Sequence, residues 1–261
     1  MKRSVLAVAL LCLLGSACAQ PVTGAARPIG PVTKVATATD PSVWTAWAFH
    51  DRASGSWSGS ANSATERTEA ESTIKAWIGV DVLRLRATRG PAVTPDELRL
   101  ISAAVRQSDD QAAETLYRSA GGDEVLRDLQ PVCEVAVTTS RQHYWSFAQV
   151  SAVEAARIME CVLDEAPRRP GGAELVADLR SVDADGAFGI PDALPAGTRV
   201  AVKNGWTEHS ARGIWNVNCV ASWDAGTLAV LTRYPRERGR DFGAALCRDV
   251  TARVLAARSI R

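Results

Sequence analysis

Lysine is scarce in this chain. Of its thirty basic residues only four are Lys: Lys2, Lys34, Lys75 and Lys203; the others are Arg. Guanidinium cannot give up its proton at accessible pH, whereas an ammonium can be pushed into neutrality by its surroundings. A chain that uses Arg for ordinary surface charge therefore keeps Lys where a titratable amine is wanted. Other absences exclude function classes. No G-x-S-x-G elbow occurs, which argues against a Ser-His-Asp hydrolase built on a strand-to-helix turn. No C-x-x-C or H-x-x-x-H spacing occurs, which argues against a zinc centre. The net charge is +1 with signs interspersed, so there is no basic face for nucleic acid. Histidine is rare too: His50, His143 and His209 have neighbours that suggest structural or exposed roles.

Two of the lysines sit in short motifs. Ser72-Thr73-Ile74-Lys75 is an S-x-x-K step leading into the apolar run 76–83. That run predicts a buried helix, on which positions i and i+3 share a face, so the Ser72 hydroxyl and Lys75 amine are expected as neighbours in its first turn. A serine hydroxyl is a weak nucleophile until a base reaches it, and a desolvated lysine can be that base. A helix N-terminus adds N–H donors for a developing oxyanion. Alone, the same four residues also fit an N-cap serine beside an incidental lysine. Downstream come Ser108-Asp109-Asp110 and, after the apolar residues 200–202, Lys203-Asn204-Gly205.

Taken in order, these three motifs resemble S-x-x-K, S-D-N and K-T-G of the serine β-lactamases and penicillin-binding proteins, closest to class A β-lactamase-like exported lipoproteins. The resemblance covers residues 43 to the C-terminus. It implies an acylated nucleophile at Ser72, a proton acceptor at Lys75 and a relay at Ser108. It places Lys203 at the cleft edge as positive charge for a substrate carboxylate, with Arg212 as a weaker candidate, and makes Gly205 part of the third motif. The backbone N–H groups of Ser72 and Trp206 would form the oxyanion hole. No cofactor and no metal is implied; the partner is a small peptide or β-lactam-like substrate, and the chain is expected to act as a monomer.

Departures from the pattern are equally specific. Asp110 stands where Asn is usual, and an ionised carboxylate accepts but does not donate. Asn204 replaces the hydroxyl residue of the third motif. No Glu-x-x-x-Asn element lies between Ser108 and Lys203 to position a deacylating water; Glu134 is in about that region, but its neighbours fit an ordinary surface carboxylate. An alternative function is accordingly a weak or inactive lipoprotein that keeps the fold and binds cell-wall peptide or a partner. Joint retention of Ser72, Lys75, Ser108 and Lys203 favours catalysis on an amide or ester.

The chain begins with a charged segment, an apolar stretch 5–14 and small residues, a signal peptide over 1–19. Ala17-Cys18-Ala19 fits a peptidase site, and Leu14 to Cys18 fits a lipobox that would lipidate Cys18. The lipobox is preferred because a Cys at a cleavage junction otherwise has no evident purpose. Residues 20–40 then form a flexible linker, and 41–261 form one β-lactamase-like domain at the outer face of the membrane, lipid-anchored or secreted. Export permits disulfides. Four cysteines allow three connectivities, of which sequential pairing, Cys133 with Cys161 and Cys219 with Cys247, is preferred.

Element signals complete the picture. A hairpin is expected from runs 43–50 and 56–60, and helices start at Ser72, after Thr94 (Pro95, Asp96, Glu97), and after Ser151, whose capping box opens 152–165. From 199 the pattern changes to strands, 199–203, 213–223 and 227–234, and then to a last helix, 241–257. Strands at both ends with helices between predict an α+β fold: an antiparallel sheet of about five strands from the two termini, with flanking helices and a helical subdomain. The eight Trp, Trp44, Trp47, Trp57 and Trp77 among them, are expected to form core and cleft walls.

Overall fold

A computed structural model describes residues 33–34 and 40–259. The leader, Cys18 and most of the linker lie outside the described residues. The sheet strands are β1 (Thr33–Lys34), β2 (Trp44–Asp51) and β3 (Trp57–Gly59) at the start of the chain, and β7 (Ala201–Val202), β8 (Gly205–His209), β9 (Ile214–Trp223) and β10 (Gly226–Pro235) near its end. Their order is β1–β3–β2–β10–β9–β7, with β8 also on β9. All pairings are antiparallel except β1 with β3. A minor sheet joins β4 (Thr68–Glu69), β5 (Thr138–Thr139) and β6 (Ala148–Val150). The helices are α1 (Lys75–Arg89), α2 (Pro95–Ser102), α3 (Asp110–Ser119), α4 (Glu124–Arg127), α5 (Leu129–Cys133), α6 (Ala152–Glu165), α7 (Gly172–Leu179), α8 (Ile190–Ala193) and α9 (Gly239–Ser259). The α+β architecture expected from the sequence is thus the one observed.

Period-2 alternation divides the strands between two cores. Ala46 and Ala48 of β2, Val220 of β9, and Ala229 and Leu231 of β10 join a core with α1, α3 and α6. The intervening Trp47, Phe49, Val217, Cys219, Leu228 and Val230 join a second core with α8 and α9. Both faces of the sheet are covered, so these strands are buried on every side chain of their central stretch, such as 46–49 in β2.

Helix α1 is buried all round over 75–83, as expected of a helix at the centre of a subdomain. Its Trp77 has no exposed surface, and Nε1 donates to the Val125 carbonyl at 2.7 Å, satisfying the one polar atom of a large apolar side chain. Capping boxes start α2 and α6: Glu97 N donates to Thr94 Oγ1, and Glu154 N to Ser151 Oγ, while each glutamate reaches back to its cap's amide. Each such cap is worth about 1 kcal/mol.

Two disulfides staple the layers. Cys133–Cys161 joins α5 to α6, and Cys219–Cys247 joins β9 to α9, each spanning 28 residues. Closing loops of this length stabilises by about 3–4 kcal/mol each.

Candidate active site

A cleft of about 830 Å³ opens between the helical part and the β8 edge of the sheet. Ser72 and Ser108 lie in it, α3 forms one wall through Asp110, Gln111, Glu114 and Thr115, and Trp145, Trp206 and Thr207 close the sides. These residues come from five elements, and local backbone specials aim them. Ser72 sits in a 3-10 turn, Glu71–Ile74, with Lys75 opening α1 directly behind it. The helix therefore starts three residues later than the sequence suggested. Glu71 has φ of 51° and Ser108 has φ of 57°, left-handed conformations that cost non-glycine residues roughly 1–3 kcal/mol. A π-helical turn, Ala103–Gln107, ends at Ser108, and Asp109 then caps α3 by accepting from Ala112 N at 2.7 Å.

The two lysines converge on Ser108. Lys75 Nζ donates to the Ser108 carbonyl and lies 3.4 Å from Ser108 Oγ; Lys203 Nζ donates to Ser108 Oγ at 2.8 Å. Among the described residues no hydrogen bond joins Lys75 to Ser72; Nζ meets Asp110 Oδ1 at 2.5 Å. Trp145 lies over the same amine, its ring centre 4.9 Å away. Both lysine side chains are sealed from water, Lys75 at 0% and Lys203 at 1% exposure. Burial pushes the Lys75 amine below the ordinary lysine value, against the opposing pull of Asp110 and Asp109. Burial holds Lys203 well below that value, and the neighbouring charge of Lys75 adds to the effect.

The third motif is set by its neighbours. Lys203 N pairs with Val220 O at 3.0 Å, but Asn204 breaks the strand into β7 and β8, because its Nδ2 donates to the carbonyls of Gly186 and Phe188 at 2.9 Å. Asn204 thus faces away from the cleft and brackets the strand. Gly205 has to be glycine for contact: a Cβ there would lie 2.5 Å from Ser72 N. Trp206 packs edge-on against Phe188 and beneath Arg240. Arg212 is directed to Glu69 Oε1 at 2.9 Å and does not line the cleft. Glu134 caps α5, exposed, also away from the cleft lining.

Glu69, Glu71 and Asn216, which the sequence did not single out, and His209, expected in a structural or exposed role, form a network behind Ser72. Glu71 accepts from Thr207 Oγ1 at 2.7 Å, lies 2.7 Å from His209 Nε2, and accepts from Asn216 Nδ2 at 3.1 Å. The only sequence signal was adjacency of Glu71 to Ser72. His50 instead pairs with Glu160 and stacks on Trp57, and His143 is exposed beside Asp123.

Among solved structures, an ancestral class A β-lactamase reconstructed for Gram-negative bacteria matches with a TM-score of 0.64 at 20% identity, covering 83% of this chain and 95% of that one. The chain has the class A β-lactamase fold. A class A β-lactamase from Bacteroides cellulosilyticus matches with a TM-score of 0.64 at 14% identity, over 81% of this chain and 90% of that one. A β-lactamase from Streptosporangium roseum matches with a TM-score of 0.63 at 19% identity, over 82% and 94%. No family model matches. Among curated proteins, "Putative lipoprotein LppW" of Mycobacterium tuberculosis, and its counterpart of the same name in Mycobacterium bovis, are 30% identical over 166 residues. That region is 60% of this chain and 52% of theirs, so the chain spans about half the length of the curated relatives it matches. Among the described residues, no helix is long and apolar enough to cross a membrane.

Proposed function

We propose that this β-lactamase-fold protein is an exported serine hydrolase that forms an acyl-enzyme on Ser72, acting on an amide or ester such as a cell-wall peptide or a β-lactam. The supporting observation is the convergence of two sealed lysines on Ser108, in the cleft that also exposes Ser72. Ser72 Oγ attacks the substrate carbonyl and its proton passes to neutral Lys75. The oxyanion is held by the N–H groups of Ser72 and Trp206. As the tetrahedral intermediate collapses, Ser108 gives its proton to the departing nitrogen or oxygen and is reprotonated from the lysine pair. Lys203, with Ser108 and Gly205, receives the substrate's carboxylate end, and the exposed Asp110 faces its amide. Arg212, tied to Glu69, serves the network behind the nucleophile. Lipidation at Cys18 would hold the domain at the outer face of the membrane, a reading supported by the lipoprotein name of the curated relatives and by the two disulfides.

One observation favours the second reading, a non-catalytic binder: the Lys75–Asp110 pair opposes deprotonation of the base. Reaction with a fluorescent penicillin or a fluorophosphonate, followed by intact mass, separates the two. Acylation is expected for the native chain and none for Ser72→Ala or Lys75→Arg, the latter because guanidinium stays protonated. A native chain that neither probe labels, or equal labelling of Ser72→Ala, refutes the assignment.

A further inference from the structure

Glu71 is an unusual predecessor for a nucleophile. It is 3% exposed, has left-handed backbone, and spends its carboxylate on side chains of β8 and β9. With Glu69 and His209 it forms a cluster whose ligand atoms lie within 4.8 Å of one another. That cluster is not a cation site. Asn216 Nδ2 sits among the three, donating to Glu69 Oε2 at 2.9 Å and Glu71 Oε1 at 3.1 Å, and lying 3.4 Å from His209 Nε2. A donor group fills the place an ion would need.

The chain path gives the network another use. Thr207, whose hydroxyl bonds Glu71 Oε2, directly follows Trp206; His209 is two residues further along β8. Glu71 directly precedes Ser72. One carboxylate therefore ties the residue before one oxyanion donor to the residue after the other, across a contact where Gly205 already touches the Ser72 amide. Asn218 adds a second tie, its Nδ2 donating to the Glu69 carbonyl at 2.8 Å.

Resting on the Ser72 reading above, we propose that Glu71, through Thr207 and His209, is a positioning residue: a latch between β8 and the Ser72 turn that sets the spacing of the two oxyanion-hole amides. Its left-handed backbone is the strain such a latch holds in place.

Thr207→Val decides the matter, because it keeps a β-branched strand residue and removes only the hydroxyl. Glu71→Gln keeps an acceptor for Thr207, while Glu71→Ala removes the latch and risks the fold. Two quantities are read on each folded variant. The first is fluorescent-penicillin acylation resolved into its limiting rate k2 and its binding constant KS. The second is the affinity of an aryl boronic acid, whose boron accepts the Ser72 Oγ lone pair as the hydroxyl proton leaves, placing a boronate oxygen in the hole. Loss of an entire oxyanion donor costs roughly 10²–10³-fold, so loosening the hole through one latch contact is expected to cost about 10-fold. Thr207→Val should lower k2 and boronate affinity by that same factor with KS unchanged. Glu71→Gln should lie between it and the native chain. Unchanged k2 and boronate affinity in Thr207→Val, or a change confined to KS, overturns the latch while leaving Ser72 as nucleophile. A native chain that is neither acylated nor bound by the boronate overturns both.

Discussion

Replacing Asp110 by Asn tests the electrostatics of the cleft most directly. Lys75 has no exposed surface, its Nζ is 2.5 Å from Asp110 Oδ1, and the aspartate side chain is 80% exposed. The carboxylate stabilises the ammonium, but its own solvation keeps the interaction far below a dry ion pair; a hydrogen bond to a charged group contributes about 1.5–3 kcal/mol. Since about 1.4 kcal/mol is a factor of ten, removing the charge should raise the neutral fraction of Lys75 by roughly 10- to 100-fold wherever the ammonium predominates. Asp109, which carries the cap of α3, is untouched, so the fold loses only a first-turn charge worth about 0.3–1 kcal/mol. The assay is stopped-flow acylation by a fluorescent penicillin, k2/KS, from about pH 5 to about pH 9. If neutral Lys75 is the base, the acidic limb moves to lower pH and the rate at neutral pH rises toward that factor. The new amide also offers a donor to the substrate carbonyl, which acts in the same direction but equally at all pH. A limb that stays in place while the rate falls throughout would refute Lys75 as the titrating base and recast Asp110 as a recognition group for a cationic substrate.

Three other outcomes are expected. Once formed, a penicilloyl adduct on Ser72 should persist far longer than its formation takes: the cleft carboxylates Glu71, Asp110 and Glu114 are engaged by Thr207, Lys75 and Arg118 respectively, leaving no obvious base for water; burst-free nitrocefin turnover would contradict this. Lys203→Met should abolish acylation yet raise stability at neutral pH, because burial disfavours the charge this amine would otherwise carry. The sign follows from its folded value lying below the unfolded 10.5, so the unfolded chain binds more protons and native stability climbs with pH up to about that value; the variant's denaturation midpoint should lose this alkaline climb. Burial raises Asp81 from 3.8 to about 6, so the carboxyl costs stability as pH rises through that window, by about 3 kcal/mol at most; Asp81→Asn should stabilise above pH 6 and not below pH 4 in urea titrations.

What the sequence revealed was local. Ser151 and Glu154 announce α6 because a capping box is complete within four residues, and the adjoining strand runs 213–223 and 227–234 announce the β9–β10 hairpin. The expected strand 199–203 is instead split around Asn204, since its amide is recruited by carbonyls of Gly186 and Phe188, distant in sequence. The helix expected at Ser72 gives way to a 3-10 turn whose Glu71 is held by Thr207 and His209, 136 and 138 residues further along the chain and outside any local pattern. Motif order located the lysines and serines; it could not say that Lys75 meets Asp110, a contact made by the approach of α3 to α1.

The scarcity of lysine and the burial of two lysines belong to one physical logic. Arginine covers the surface, where permanent charge is harmless, while Lys75 and Lys203 are among the largest fully buried side chains of the described residues. A guanidinium in either place would have to be paired as a cation at all pH; an amine can be driven toward neutrality by the same burial that makes it costly. Strain follows the same map. Of four non-glycine residues with left-handed backbone among the described residues, Glu71 and Ser108 line the cleft. The cost of burying two amines and holding strained turns there falls on capping boxes, a two-sided sheet core and disulfides elsewhere in the fold. Local rules that break together at one cleft, in a chain that otherwise obeys them, are expected of a site selected for chemistry and not for stability.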